Sequence, residues 1–250
     1  MPNRTRLIAG NWKMNLEEWE AVELAGSIAD GLPDGTADVV VCPPFPWLVP
    51  VAAVLEGSRV ALGAQDCSAE VSGAYTGQVS ATMLNGLCRY VIAGHSEHRR
   101  DCCESNELVG RKARAALDAG IAPIVCVGEA IEVRDAGKAV AWVEEQVEAV
   151  IAAVGSDQLT GLIVAYEPIW AIGTGRSASE DDAEEIAAAI RRRLAHARPA
   201  AAESVRILYG GSANAANAGS YLAAPNIDGL LVGGACLTSD SFLDIIASAG

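Results

Sequence analysis

The stretch "AYEPIWAIGTG", Ala165 to Gly175, joins the end of an apolar run to a glycine-flanked loop and sets a carboxylate, Glu167, at the junction. A charge at the end of a buried strand is costly unless it has a partner or a task. Seven other short β-branched runs share the build of its first half: "RLIAG", "DVVVCP", "RVALGAQ", "RYVIAG", "APIVCVG", "RILYGG" and "DGLLVGG". With "LIVAYEP" they make eight strand candidates, alternating with stretches of helical period such as "EEWEAVELAGSIADGL" and "DDAEEIAAAIRRRLAHA". Each run is apolar through its length, so both faces of the sheet must be covered, which predicts parallel strands wrapped by helices. Eight such units in 250 residues predict an α/β fold closed into a (β/α)8 barrel, residues 1–250 forming one domain; an open doubly wound sheet is the alternative.

Composition narrows the function classes. The chain is 51% hydrophobic, mostly Ala and Val, yet no window approaches the ~20 uncharged apolar residues of a membrane span. The N-terminal "MPNRTRLIAG" offers only a four-residue apolar run after its arginines, too short for a signal peptide, so a cytoplasmic protein is expected. A net charge of -14 opposes binding to nucleic acid or an anionic membrane, and an anionic substrate would need its own local site. Seven cysteines, an odd number, fit reduced thiols better than a disulfide framework. Cys102 and Cys103 lack a CxxC spacing and His95, His98 and His196 give no ligand pattern, so no metal is expected. Two smaller domains would fit the length, but no Pro/Ser/Gly tract or charge block divides the chain. The longest irregular segment, Asp66 to Ser80, has the length of a functional or interfacial loop.

In a barrel, the loops after the strands' C-terminal ends build the site, so polar residues there converge whatever their separation in sequence. Asn11 and Lys13 follow the first predicted strand, His95 and Glu97 the fourth, and Glu167 the sixth. Gly210, Gly211 and Ser212 follow the seventh, and Gly233 and Gly234 the eighth. Glycine pairs ahead of a helix let backbone N–H groups approach an anion. A carboxylate base, an imidazole and an amide as donors, and a lysine to hold charge together suit proton transfer beside a carbonyl. Taken singly, each has a plainer reading: a carboxylate paired to a helix N-terminus, a satisfied structural histidine, a solvated lysine, turn glycines. The run Arg191 to Arg193 reads as a solvated, dipole-favoured helix end.

The motifs "GNWKMN" (Gly10 to Asn15), "GHSE" (Gly94 to Glu97), "CVGE" (Cys126 to Glu129), "AYEPIWAIGTG", "YGGS" (Tyr209 to Ser212) and "LVGGA" (Leu231 to Ala235) stand in order, each at a predicted strand end. Together they resemble the triosephosphate isomerase family along the whole chain. That resemblance implies a cofactor-free homodimer of glycolysis and gluconeogenesis that interconverts dihydroxyacetone phosphate and D-glyceraldehyde 3-phosphate through an enediolate. It implies Glu167 as the base moving a proton between C1 and C2, and His95 as a neutral electrophile, both roles known for this family. Asn11 and Lys13 become carbonyl and phosphate ligands, and the backbone of Gly173, Ser212, Gly233 and Gly234 the phosphate grip. Pro168 to Gly175 correspond to a lid, with Trp170 packing at its hinge. Glu97 behind Lys13, Cys126 as a packing thiol, and Thr76 at the tip of a loop entering the partner subunit are supporting positions, and Glu129 caps or pairs at the helix that follows it. A paralogue acting on another small sugar phosphate and a non-catalytic phosphate-binding barrel are the competing readings. Keeping Lys13, His95 and Glu167 together argues against the second, since binding alone needs no base.

Four departures from the family pattern stand out. His98 replaces the arginine usual after "GHSE", Gln78 a glutamate, "CCES" the more common "FGES", and Cys236 the serine usual after "GGA". The first two match a charge pair bridging the subunits in the family. Losing one end would strand a buried charge at roughly 3–5 kcal/mol, whereas losing both is close to neutral. A neutral His98 beside Gln78 of the partner subunit is the expectation, with the imidazole titrating below its ordinary value.

Overall fold

Strand alternation sorts the apolar residues into two sets, which is how one sheet builds two cores. The computed structural model describes residues 4–35, 37–172 and 178–250. Its strands are β1 (Leu7–Asn11), β2 (Asp38–Cys42), β3 (Val60–Ala64), β4 (Tyr90–Ala93), β5 (Ala122–Val127), β6 (Ile163–Tyr166), β7 (Arg206–Tyr209) and β8 (Gly229–Val232). All neighbours pair in parallel, and β1 closes on β8 with Leu7 opposite Gly229 and Gly10 opposite Val232. The closed (β/α)8 barrel is therefore the architecture, and the open sheet is excluded. Leu7, Ala9, Val40, Ile92, Ile124 and Leu208 fill the barrel interior. The alternate residues, among them Ile8, Val39, Val91, Val125, Val164 and Ile207, face the helices and share a core with Ile28, Val147 and Ile190.

The two quoted helical stretches form helices Glu18–Gly31 and Glu180–Ala197, each opened by a capping box, on Glu17 with Glu20 and on Ser179 with Asp182. Most strands are shorter than the quoted runs, losing flanking Arg, Asp, Gly, Gln or Pro residues, while β1 keeps Gly10 and gains Asn11. After β6, Pro168 has no amide to offer on the β7 side, whereas toward β5 the bonds run on, from Glu167 N to Val127 O at 2.7 Å and from Ile169 N to Glu129 O at 3.1 Å. Glu167 is thus tied through its own amide to the end of β5.

One surface reading is corrected. Arg191 is no solvated helix end: its guanidinium donates to Asn226, Ala202 O, Val205 O and Asp228. Asp228, 6% exposed, also accepts from Arg4 and from the Ile207 amide, so it pins the chain's start and β7 together at the face opposite the site.

Candidate active site

Glu167 begins the turn out of β6, and its side chain points across the barrel mouth to the end of β4. Its Oε2 accepts from the Ser96 amide at 2.8 Å, and its Oε1 lies 2.8 Å from His95 Nε2. The second contact is close but lacks hydrogen-bond alignment, which leaves Oε1 otherwise unpartnered among the described residues. The carboxylate is only 2% exposed. On its other side, a Cβ on Gly210 would stand 3.0 Å from Glu167 Cγ, so glycine is what lets β7 pass beside it. His95 caps the helix Ser96–Asp101, its Nδ1 accepting from the Glu97 amide at 3.3 Å. A ring nitrogen that accepts carries no proton, so the imidazole proton sits on Nε2, the nitrogen facing Glu167.

Lys13 follows β1 in the left-handed region at φ 52°, an uncommon conformation for a side-chain-bearing residue. Two neighbours hold it there. Asn11 Oδ1 accepts from the Lys13 amide at 3.0 Å, and Gln65 Nε2 donates to Lys13 O and Cys42 O, both at 2.8 Å. Lys13 Nζ bonds Glu97 Oε1 at 2.6 Å. Burial pushes the Glu97 carboxyl up, but the Lys13 hydrogen bond and the charges of Lys13 and Arg100 outweigh it and hold the group below its ordinary range. Gln65 was passed over in the sequence, although it is the polar residue that ends "RVALGAQ" and the strand-end rule points to it.

A cavity of about 1030 Å³ takes in Asn11, Lys13, His95, Glu97, Glu167 and the loops after β7 and β8. Among the described residues, the amides of Ser212, Gly233 and Gly234 donate to no backbone carbonyl, and a Cβ on Gly233 would lie 3.5 Å from Lys13 Cε. Amides that have no backbone-carbonyl partner among the described residues and an ammonium therefore line the same cavity, a setting for an anion. Gly173 lies outside the described residues. Pro168 to Ile172 are anchored: Ser212 Oγ donates to Ala171 O at 3.1 Å, and Trp170 Nε1 donates to Glu129 Oε1 at 2.9 Å. Glu129 is fully buried and accepts from Tyr166 Oη as well, with Arg134 3.5 Å away. Burial raises its carboxyl above the usual range despite the Trp170 and Tyr166 hydrogen bonds. Read from sequence as capping or pairing at the next helix, Glu129 does pair there with Arg134 of the helix Ile131–Asp135, and it also ties the start of the Pro168 loop to β5. Cys126 packs inside the barrel, its thiol pushed up by burial and by Glu167.

The triosephosphate isomerase family model matches residues 6–249. The chain is 48% identical to the triosephosphate isomerase of Bordetella pertussis over 247 residues, 98% of each chain. It is 49% identical to that of Herminiimonas arsenicoxydans, covering 98% of this chain and all of that one, and 49% identical to that of Mycobacterium tuberculosis, covering 99% and 97%. The chain belongs to the triosephosphate isomerase family. It is an isomerase built on a (β/α)8 barrel.

Against that family pattern, the departures have local partners. Gln78 Oε1 accepts from Ser68 Oγ at 2.5 Å within its own loop, where Thr76 is exposed. Cys236, where the family usually has serine, lies 3.5 Å from Asn11 O and 3.4 Å from Val232 O, and burial pushes its thiol up to about 12. Cys102 and Cys103 are exposed free thiols just after the helix that carries His95. His98 contradicts its expectation. Its Nδ1 lies 3.2 Å from Glu104 Oε1 and 3.7 Å from Asp66 Oδ2, and the Glu104 hydrogen bond outweighs burial, so its pKa is raised and not depressed. These three side chains have metal-ligand types within 4.8 Å of one another, but Lys112 Nζ already bonds both carboxylates, so the cluster has its own cation.

A raised folded pKa means that protonated His98 stabilises the fold. That contribution is fully present below the unfolded value of ~6.5 and is lost as pH rises through the folded pKa. The groups facing it are Glu104, Asp66 and Lys112. Comparing denaturation midpoints of the parent and His98→Asn at about pH 5.5 and 8.5 should show the parent's advantage growing toward acid. An advantage that is flat, or that grows toward alkali, would contradict the assignment.

Proposed function

We propose that this chain interconverts dihydroxyacetone phosphate and D-glyceraldehyde 3-phosphate, with Glu167 as the base that moves a proton between C1 and C2 through an enediolate. Family membership supports the overall reaction. The observation that supports the residue roles is the meeting of a 2% exposed carboxylate with the proton-bearing nitrogen of His95 across a cavity that also holds Lys13. His95 Nε2–H and the Asn11 amide donate to the substrate oxygens where the enediolate gathers charge. Lys13 and the amides of Gly173, Ser212, Gly233 and Gly234 hold the phosphate, and Glu97 positions Lys13 through their 2.6 Å ion pair. An aldose–ketose exchange moves protons without net electron transfer, so these side chains suffice with no cofactor. Trp170, on its Glu129 anchor, forms the hinge of a lid that excludes water.

The partner is a second copy. Val71, Tyr75 and Met83 stand exposed on and beside the Asp66–Ser80 loop, and Met14 beside Lys13 is 96% exposed. Apolar side chains grouped this way suit burial in a partner, with Thr76 entering the other subunit near its Asn11 and His95. Seven free cysteines and the acidic balance suit the reducing cytoplasm. The reading of residues 1–250 as one domain goes with the single closed barrel.

Glu167→Asp withdraws the carboxylate by one methylene and leaves the phosphate grip untouched. A misplacement of ~1 Å costs on the order of 100-fold, so kcat should fall by about that factor while KM changes little. Parent-level turnover in a coupled assay would remove the base assignment. Sedimentation at micromolar concentration should give a dimer, and a monomer there would remove the partner assignment.

A further inference from the structure

Gly128 stands where the sheet runs out. Toward β6 the backbone bonds run from Glu167 N to Val127 O and then from Ile169 N to Glu129 O at 3.1 Å, and Gly128, which lies between these two acceptors, bonds no strand with its own amide or carbonyl. Its amide and carbonyl are nevertheless both satisfied. Gln146, on the helix Ala139–Val154, accepts from Gly128 N with Oε1 at 2.7 Å and donates to Gly128 O with Nε2 at 3.0 Å. The side-chain amide thus takes the place of a missing strand. Gln146 is 5% exposed and sits among Val143, Val147 and Val150, on the face that helical spacing reserves for apolar packing. A buried amide at such a position is tolerated because donor and acceptor are both used.

What Gly128 holds in turn is Glu167. A Cβ on Gly128 would lie 1.8 Å from Glu167 O, so the two backbones are in direct contact. From the other side Gly210 donates to Tyr166 O at 2.7 Å and presses against Glu167 Cγ. The turn carrying Glu167 is therefore wedged between two glycine segments. One is fixed by β7, and the other has both hydrogen-bonding groups clamped by Gln146. The residue after Gly128 is Glu129, which holds Trp170.

We propose that Gln146 is a positioning residue for the catalytic carboxylate: by clamping Gly128 it sets where the Glu167 backbone sits and hence where its side chain meets the substrate. This rests on Glu167 being the base. Gln146 reaches the edge of the same cavity, but both of its polar side-chain atoms are spent on Gly128, so the hydrogen bonds lost with it are the ones that hold the neighbour of Glu167.

Gln146→Met keeps the volume and removes both hydrogen bonds. It should lower kcat by about 10-fold or more, while the inhibition constant of inorganic phosphate stays within about twofold of the parent. In a Glu167→Asp background the same replacement should cost much less, because a base already withdrawn has little alignment left to lose. Gln146→Glu supplies the conservative arm. Burial raises its pKa, and the protonated acid can accept from Gly128 N and donate to Gly128 O, so its kcat relative to the parent should recover toward low pH and fall as pH rises. That profile also carries the test if the Met variant does not fold. The proposal is overturned if Gln146→Met keeps kcat within about twofold, if phosphate inhibition weakens in parallel with kcat, if the effect multiplies in full with Glu167→Asp, or if the Glu variant shows no such pH dependence. Failure of the base reading would look different: Glu167→Asp alone would retain the parent's kcat.

Discussion

The carboxylate of Glu167, buried to 2% exposure between the Ser96 amide and His95 Nε2, is the constraint on which the upper face of this barrel depends. Desolvating a charge is expensive, and a carboxylate with one aligned hydrogen bond and one unaligned contact is under-compensated for its burial. The surrounding structure must hold it there. The β6 ladder fixes its amide, two glycine segments fix its backbone, and the helix Ser96–Asp101 presents both Ser96 N–H and, through its Glu97 amide, the tautomer of His95. Each device is a local feature of a strand end. Barrel closure brings them together across the mouth.

A second constraint is charge. The chain carries -14 overall, yet its cavity offers Lys13 and the amides of Ser212, Gly233 and Gly234, which bond no backbone carbonyl among the described residues. The ammonium is kept in place by a left-handed backbone that Asn11 and Gln65 hold, and by Glu97, which partly neutralises it. An anion entering there meets preoriented donors and a cation already drawn to one side, which favours binding without a large reorganisation. A lysine held by a carboxylate recurs at Lys112, which bonds two of them, Asp66 and Glu104, and where His98 adds a titrating group.

Most of the fold was legible because a barrel strand is apolar on both faces, and eight such runs leave few other architectures. The site's inner residues were legible for a related reason: polar side chains at strand ends are conspicuous against that background. What escaped was the support. Gln146 lies on a helix far from any strand end, marked only by being a polar residue on an apolar face, and its role depends on a contact with Gly128 that no spacing rule predicts. Glu129 was visible and its pairing at the next helix, with Arg134, was legible, but its bonds to Trp170 and Tyr166 were not, because those partners come from another strand's end. His98 was misjudged for want of knowing that Glu104 and Asp66 surround it within its own chain. Arg191 looked solvated as part of a basic run, and its partner Asp228 is distant in sequence.

The central claim is that a proton passes between C1 and C2 on a carboxylate and does not move as a hydride within the substrate. Converting dihydroxyacetone phosphate in D2O, with the aldehyde product trapped as it forms and read by NMR, tests this directly. A proton that rests on Glu167 can exchange with solvent before it is returned, so deuterium should appear at C2 of the product, and Glu167→Gln should abolish conversion and labelling together. Product carrying only protium at C2, or labelling that survives in Glu167→Gln at the parent's rate, would contradict it.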